Sequence, residues 1–282
     1  MAGPAEDFHG PMLIGTVFNL LLFGVMIAQV YFYFTSYARD RLFLKLFVLA
    51  LFVVDATNSV FNVVFIYVCL VLHFGDADYL KVTNWQFATG PTLTAVIALM
   101  VQLFFTWRVY VLTRNRLLVV IVGLLALASA VCGCLTTWEV IAIPQFARFQ
   151  NFRGIVIVWL AAAACADIMI TIILVWHLGS DMVVDRIIRL TVQTGLATSI
   201  VATVDLTLYL ASTSGIHLLF NFALCKLYSN SLMSSLNSHN LIILIILIIR
   251  RMAHDVFTSR PSRERPQTIL NFRSPPRPAE TI

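Results

Sequence analysis

Apolar runs long enough to cross a lipid bilayer recur seven times along this chain, at approximately 12–36, 43–72, 87–112, 117–143, 154–178, 187–211 and 214–236. Charges, prolines or polar clusters separate each run from the next. A helix needs about 20 apolar residues to span the roughly 30 Å hydrocarbon core, and each run meets that length. Strands are excluded, because an open strand leaves backbone groups unpaired in lipid and barrel strands alternate over about ten residues. The chain therefore reads as an all-α, polytopic integral membrane protein, with seven transmembrane helices inside a domain over residues 12–240. Residues 1–11 form its N-terminal segment and residues 241–282 its tail. Composition agrees, since 60% of residues are apolar, 12% are charged and mean hydropathy is +0.88.

Proline and small residues refine the ends. Pro11 opens the first run where a missing N–H costs nothing, Gly90-Pro91 loosens the start of the third, and Pro144 closes the fourth. The small residues from Ala161 to Ala166 allow close helix approach in the fifth.

Positive charge resists translocation, so alternate loops report orientation. Of nineteen Lys and Arg, only Lys81, Arg148 and Arg153 fall on the side of the N-terminus. The other sixteen fall opposite. This places the N-terminus outside and the C-terminus in the cytosol, in the plasma membrane or an organelle membrane. The first eleven residues hold Glu6 and Asp7 and no basic cluster, so the first helix is expected to serve as its own insertion signal. Cys69, Cys132, Cys134, Cys165 and Cys225 all fall within expected helices, where packing is their expected role.

From Leu241 the chain reads LIILIILII and then turns basic and proline-rich. Nine helical residues cover only about 14 Å, too little to span. The run either extends the seventh helix or lies in the inner interface, and the interface is the preferred reading. Residues 250–282 carry seven arginines against Asp255, Glu264 and Glu280, with five prolines, and are expected to be disordered. Such a segment suits anionic lipid, released by phosphorylation at Ser259 or Ser262, or serves only as a topogenic, solvated tail. Nucleic acid is not an expected partner of a tethered tail so poor in aromatics.

Ionisable residues inside a membrane are costly and usually face the bundle interior. Asp55, Asn58 and Asn62 share one face of the second helix, Asp167 and Thr171 one face of the fifth, and Thr191, Thr194, Thr198 and Asp205 one side of the sixth. These stripes either line a cavity, proton path or small-ligand site, or hydrogen-bond between helices to fix packing. Lys226 in the seventh helix invites comparison with retinal-binding proteins. The comparison fails, because Phe222 stands where the carboxylate one turn earlier is needed and the third helix has no acidic counter-ion. Lys226 is instead expected to snorkel toward the inner headgroups.

No catalytic, cofactor or metal residues are identified. His73 and His217 fall at the outer face and His177 at the inner, so they cannot share a metal. No GxSxG elbow, HExxH helix or GxxxxGKS/T loop is present. An enzyme is not expected.

The strings LCKLYSNSLMSSLNS, ACADIMITIIL, DRIIRLTVQTGLATSI and VQLFFTWRVYVLTRN, with LIGTVFNLLLFGVMIAQVYFY and VVDATNSVFNV, resemble a family of seven-helix membrane proteins from mushroom-forming (basidiomycete) fungi. That family carries a domain of unknown function of the DUF6534 type. The resemblance covers about residues 12–239 and implies the labelled domain at roughly 160–240, with no known ligand or activity. It puts Asp55, Asp167, Asp185, Arg186, Lys226, Tyr228, Asn230 and Asn237 on family-typical positions. The chain departs from the pattern in its short fifth loop, GSDMVVDRI, and in the LIILIILII run.

Three functions fit this reading. A receptor-like or sensory protein for an unknown small ligand leads, by helix count and orientation. A transporter or channel using Asp55, Asp167 and Asp205 is the first alternative, and a structural scaffold the second. Marks of G-protein receptors are missing, since the third helix ends WRVY and the seventh lacks NPxxY.

Overall fold

The computed structural model describes residues 8–37, 40–76, 78–178, 185–211 and 215–258, with side chains for all of these except 147, 177–178, 185–194 and 238–258. Within them run α1 (His9–Ser36), α2 (Leu42–Tyr67), the short α3 (Trp85–Ala88), α4 (Gly90–Thr113), α5 (Arg116–Ala142), α6 (Arg153–Leu178), α7 (Asp185–Ala211) and α8 (Ile216–Thr258). Each of the seven apolar runs overlaps one of the seven long helices among the described residues, with run 43–72 passing the end of α2 and run 87–112 beginning in α3. Among the described residues, five spans are long and apolar enough to cross a membrane: His9–Ser36, Leu42–Leu72, Trp85–Thr113, Arg116–Ala142 and Arg148–Trp176.

Local chemistry sets the breaks. A π-helical turn, Val68–Leu72, finishes the span that begins with α2. Pro91 stands in the first turn of α4, where no intrahelical partner for its nitrogen is needed. Arg114 ends α4 in the left-handed region, φ 54°, and Asn115 caps α5 by accepting the Leu117 N–H at 3.0 Å. α5 stops at Ala142, two residues before Pro144. Pro144 then serves a second purpose, because its carbonyl accepts the Thr83 N–H at 2.8 Å and ties the two loops at this end together.

The apolar run from Leu241 forms no separate interfacial element. Nothing in it breaks a helix, and α8 continues through it to Thr258. The chain divides into two compact units, Met1–Ile242 and Ile243–Ile282; residues 250–258 of the stretch expected to be disordered are helical instead, and the rest of it, with its lipid reading, lies outside the described residues.

The outside of the first unit is apolar and much of its inside is polar. Leu124 and Val131 are 61% and 57% exposed, whereas Asn19, Asp55 and Asp205 are fully buried. In water such an exposed apolar surface would drive association, while in lipid it costs nothing. Exposed tryptophans lie toward both ends, Trp85 and Trp138 at one and Trp107 and Trp176 at the other, as at the two interfaces of a bilayer. The chain is accordingly a membrane protein.

Neighbours around the bundle are α1 with α2, α2 with α4, α4 with α5, α5 with α6 and α6 with α7, while α4 also meets α6. α8 closes the ring through side-chain-to-backbone bonds with α1, given in both directions. Asn19 donates to the Phe222 carbonyl at 2.7 Å, Asn230 to Leu22 at 3.0 Å and Asn237 to Gln29 at 3.2 Å. Numbers rise together on both helices, so α1 and α8 run in the same direction.

Two glycines permit the closest approaches. A Cβ on Gly133 of α5 would stand 2.4 Å from the Ala95 Cβ of α4, and one on Gly195 of α7 would stand 2.4 Å from the Thr171 Oγ1 of α6. Ala95 has no rotamer to escape into. Gly133→Ala is expected to cost about 1–3 kcal/mol by overpacking. A paired Ala95→Gly substitution should recover most of the loss in detergent melting, and failure of that rescue would show that the strain lies elsewhere.

Candidate functional site

Intramembrane polar residues of the first unit sort into three groups. The first centres on Asp55 of α2 and Lys226 of α8. Lys226 Nζ lies 2.9 Å from Asp55 Oδ1, with both side chains fully buried. It also donates to the Asp55 backbone carbonyl at 2.6 Å, and stands 5.0 Å from the Phe23 ring centroid of α1. Ser229 donates to Asp55 Oδ2 at 3.2 Å. Lys226 therefore does not snorkel, because a carboxylate at its own depth offers a stronger partner than distant headgroups. The counter-ion lacking one turn before Lys226 is supplied by α2. By contrast the Lys81–Asp78 pair, 2.8 Å long, is exposed in the loop after α2, where water screens it. There the neighbouring ammonium still holds the Asp78 carboxyl below its ordinary range.

A neutral network continues from this pair. Asn19 donates to Asn58 Oδ1 at 3.3 Å and accepts from Ser59 at 3.0 Å. Asn58 Oδ1 also receives Asn62 Nδ2 at 3.2 Å and the Cys225 thiol at 3.2 Å. Thus Asn62 bonds to Asn58, and Asn58 to α1 and α8.

The second group surrounds Asp167 of α6. Its Oδ1 accepts Gln102 Nε2 of α4 at 2.9 Å, and its Oδ2 accepts Thr198 of α7 at 2.8 Å and Tyr228 of α8 at 2.9 Å. One carboxylate joins four helices. Thr171, buried one turn along, has no partner for its hydroxyl among the described residues and faces Gly195. Thr198 thus serves Asp167 rather than a stripe with Asp205, and the side chains of Asp185, Arg186, Thr191 and Thr194 lie outside the described ones.

The third group belongs to a cavity. At the end of the bundle where α1 begins, a partly open cavity lies between α2, the α4 start, the α5 end, α6, α7 and α8. Asp205, Asn58, Asn62 and Asn221 supply polar lining, and Phe87, Phe149, Phe152, Trp159, Tyr209 and Phe222 the aromatic walls. Asn221 donates to Asp205 Oδ2 at 3.1 Å, while Asp205 Oδ1 has no hydrogen-bond partner among the described residues although the residue is fully buried. The Phe146–Phe152 turn is held over this end. Phe146 stacks on Phe8 and meets Phe87 edge-on, and the Tyr209 hydroxyl donates to the Phe149 carbonyl at 3.0 Å.

The expected stripes therefore do not converge on a single site. Asp55 with Lys226 and Asp167 with Thr198 end in protein partners, whereas Asp205 faces space shared with Asn58 and Asn62. Sequence reasoning passed over Asn19, Gln102, Asn221 and Ser229. Asn19 and Gln102 carry a readable signal, as amides in otherwise apolar helices must find a partner. Ser229 carries none, because a helical serine can bond its own preceding turn, as this one does to Cys225 O. Among the described residues no cluster of His, Cys, Asp or Glu is arranged to hold a metal ion.

Residues 163–240 match a protein family described as a family of unknown function, DUF6534. The matched segment contains Asp167, Thr171, Asp205 and Lys226, and so supplies one or more members of every group above. No curated protein and no solved structure matches the chain.

Proposed function

We propose that the chain is a receptor-like protein of seven transmembrane helices, N-terminus outside, whose cavity takes a small ligand from the outer side. α7 and α8 supply the two crossings beyond the five apolar spans. The odd count agrees with α1 and α8 running in the same direction, and the charge balance of sixteen against three supports the orientation. The resemblance to seven-helix proteins of basidiomycete fungi supports the same count. The tail then lies in the cytosol, with anionic lipid as its expected partner, and the plasma membrane is the expected location.

One observation carries the receptor reading: Asn58 lines the cavity and also belongs to the network that bonds α1, α2 and α8 beside the Asp55–Lys226 pair. A ligand that engages Asn58 alters what holds those helices together. Transport fits less well, since Asp55 is neutralised by Lys226 and Asp167 is saturated by three donors.

Two measurements test this. An N-terminal epitope should bind antibody on intact cells and a C-terminal one only after permeabilisation. In a small-molecule screen on protein in liposomes, stabilising ligands should produce no flux. A reversed epitope pattern overturns the orientation, ligand-dependent flux establishes the transporter instead, and a screen with neither response leaves the scaffold.

A further inference from the structure

From the cavity chemistry we infer that its ligand is a small organic cation, a protonated amine carrying an apolar or aromatic body. The inference takes from the receptor reading only that the cavity is a binding site.

Asp205 stands fully buried, and no ion pair reaches it among the described residues. Asn221 satisfies Oδ2, leaving Oδ1 without a donor. Asp55 and Asp167, the other buried carboxylates among the described residues, have their partners supplied by the protein, which singles Asp205 out. A buried acceptor left open costs free energy unless something else fills it, and the cavity is the space from which a donor can come. Arg153, at the start of α6, is exposed to the surroundings and forms no pair with Asp205.

The walls specify the rest of the ligand. Trp159, Phe222 and Phe87 present aromatic surface, and ring faces attract cations, most strongly ammonium and quaternary groups. An anion would meet Asp205 and these same faces and be repelled by both. A neutral alcohol can bond to Oδ1 but gains neither the charge-assisted bond nor the cation–ring attraction. The amide oxygens of Asn62 and Asn221 and the amide nitrogen of Asn58 suit further donors or a hydroxyl on the ligand.

The test uses full-length protein purified in detergent, with phenethylamine, 2-phenylethanol and phenylacetate as probes of nearly equal shape. Their binding is read by thermal stabilisation and by Trp159 fluorescence, with Trp159→Phe as control. The amine should bind about tenfold or more tighter than the alcohol, with no measurable phenylacetate binding. In Asp205→Asn the amine preference should fall to about twofold or less, since the charge-assisted bond is lost. Equal affinity of amine and alcohol for wild-type protein overturns the inference without any variant, so a poorly folding Asp205→Asn does not shelter it. So does retention of the amine preference in Asp205→Asn, or absence of amine binding at millimolar concentration. Amine binding accompanied by flux in liposomes would remove the receptor reading and leave the ligand class standing.

Discussion

Replacing Lys226 with methionine is expected to lower the stability of the protein in detergent by about 3–5 kcal/mol, because it strands the Asp55 carboxylate in the bundle interior. Asp55→Leu should cost a comparable amount by stranding the ammonium. Both groups are fully buried and 2.9 Å apart, so neither can reach water when its partner is removed. The double variant Asp55→Leu/Lys226→Met should recover most of either loss, since a buried ion pair replaced by apolar groups of similar size is often neutral or better. Ser229 is not orphaned by this exchange, as it also bonds to the Cys225 and Lys226 carbonyls. Melting midpoints of the four proteins complete the cycle. If the two single losses simply add in the double variant, the pair is not coupled and α8 is held to α2 by other contacts.

Removing the Asp167 carboxylate should be of similar consequence by a different mechanism. Asp167→Leu leaves Gln102, Thr198 and Tyr228 with donors that have lost their acceptor in a buried site. Each orphaned buried donor costs about 1–3 kcal/mol, so a loss of about 3 kcal/mol or more is expected. Thr198 retains the Gly195 carbonyl, and Gln102 retains that of Ala163 at 3.3 Å, which keeps the sum below three full penalties. Tyr228→Phe removes one donor and leaves the carboxylate two others, and should cost about 1 kcal/mol. Asp167→Asn keeps the shape but turns one acceptor into a donor, and should fall between them. The ranking matters more than the sizes. A Leu variant no worse than Tyr228→Phe would mean that water or a shifted helix replaces the acid, and that the four helices are joined elsewhere.

Both effects concern the part of the protein that is closed, whereas ligand selectivity concerns Asp205. This separation makes the three carboxylates experimentally distinguishable. Substitutions at Asp55 and Asp167 should move stability first, and substitution at Asp205 should move charge preference first. The division could not be drawn from spacing, where all three are acids in apolar helices that carry other polar residues on the same face.

The sequence by itself determined where the long helices lie and which ionisable residues their interiors must accommodate. Hydropathy is a local, additive property: a run of about twenty apolar residues has the same preference for lipid whatever it packs against. The breaks were local as well, at Pro91, Arg114-Asn115 and Pro144, because caps and prolines act within a turn of the backbone. Partners are not local. Lys226 and Asp55 are 171 residues apart, and the reading of Lys226 as a snorkelling residue failed because only the packing of α8 against α2 brings a carboxylate to its depth. The same holds for Asp167, whose three donors come from three other helices. Tertiary structure alone decided which polar residues were satisfied and which was left facing open space, since hydrogen bonds are short and directional and depend on helix rotation within the bundle.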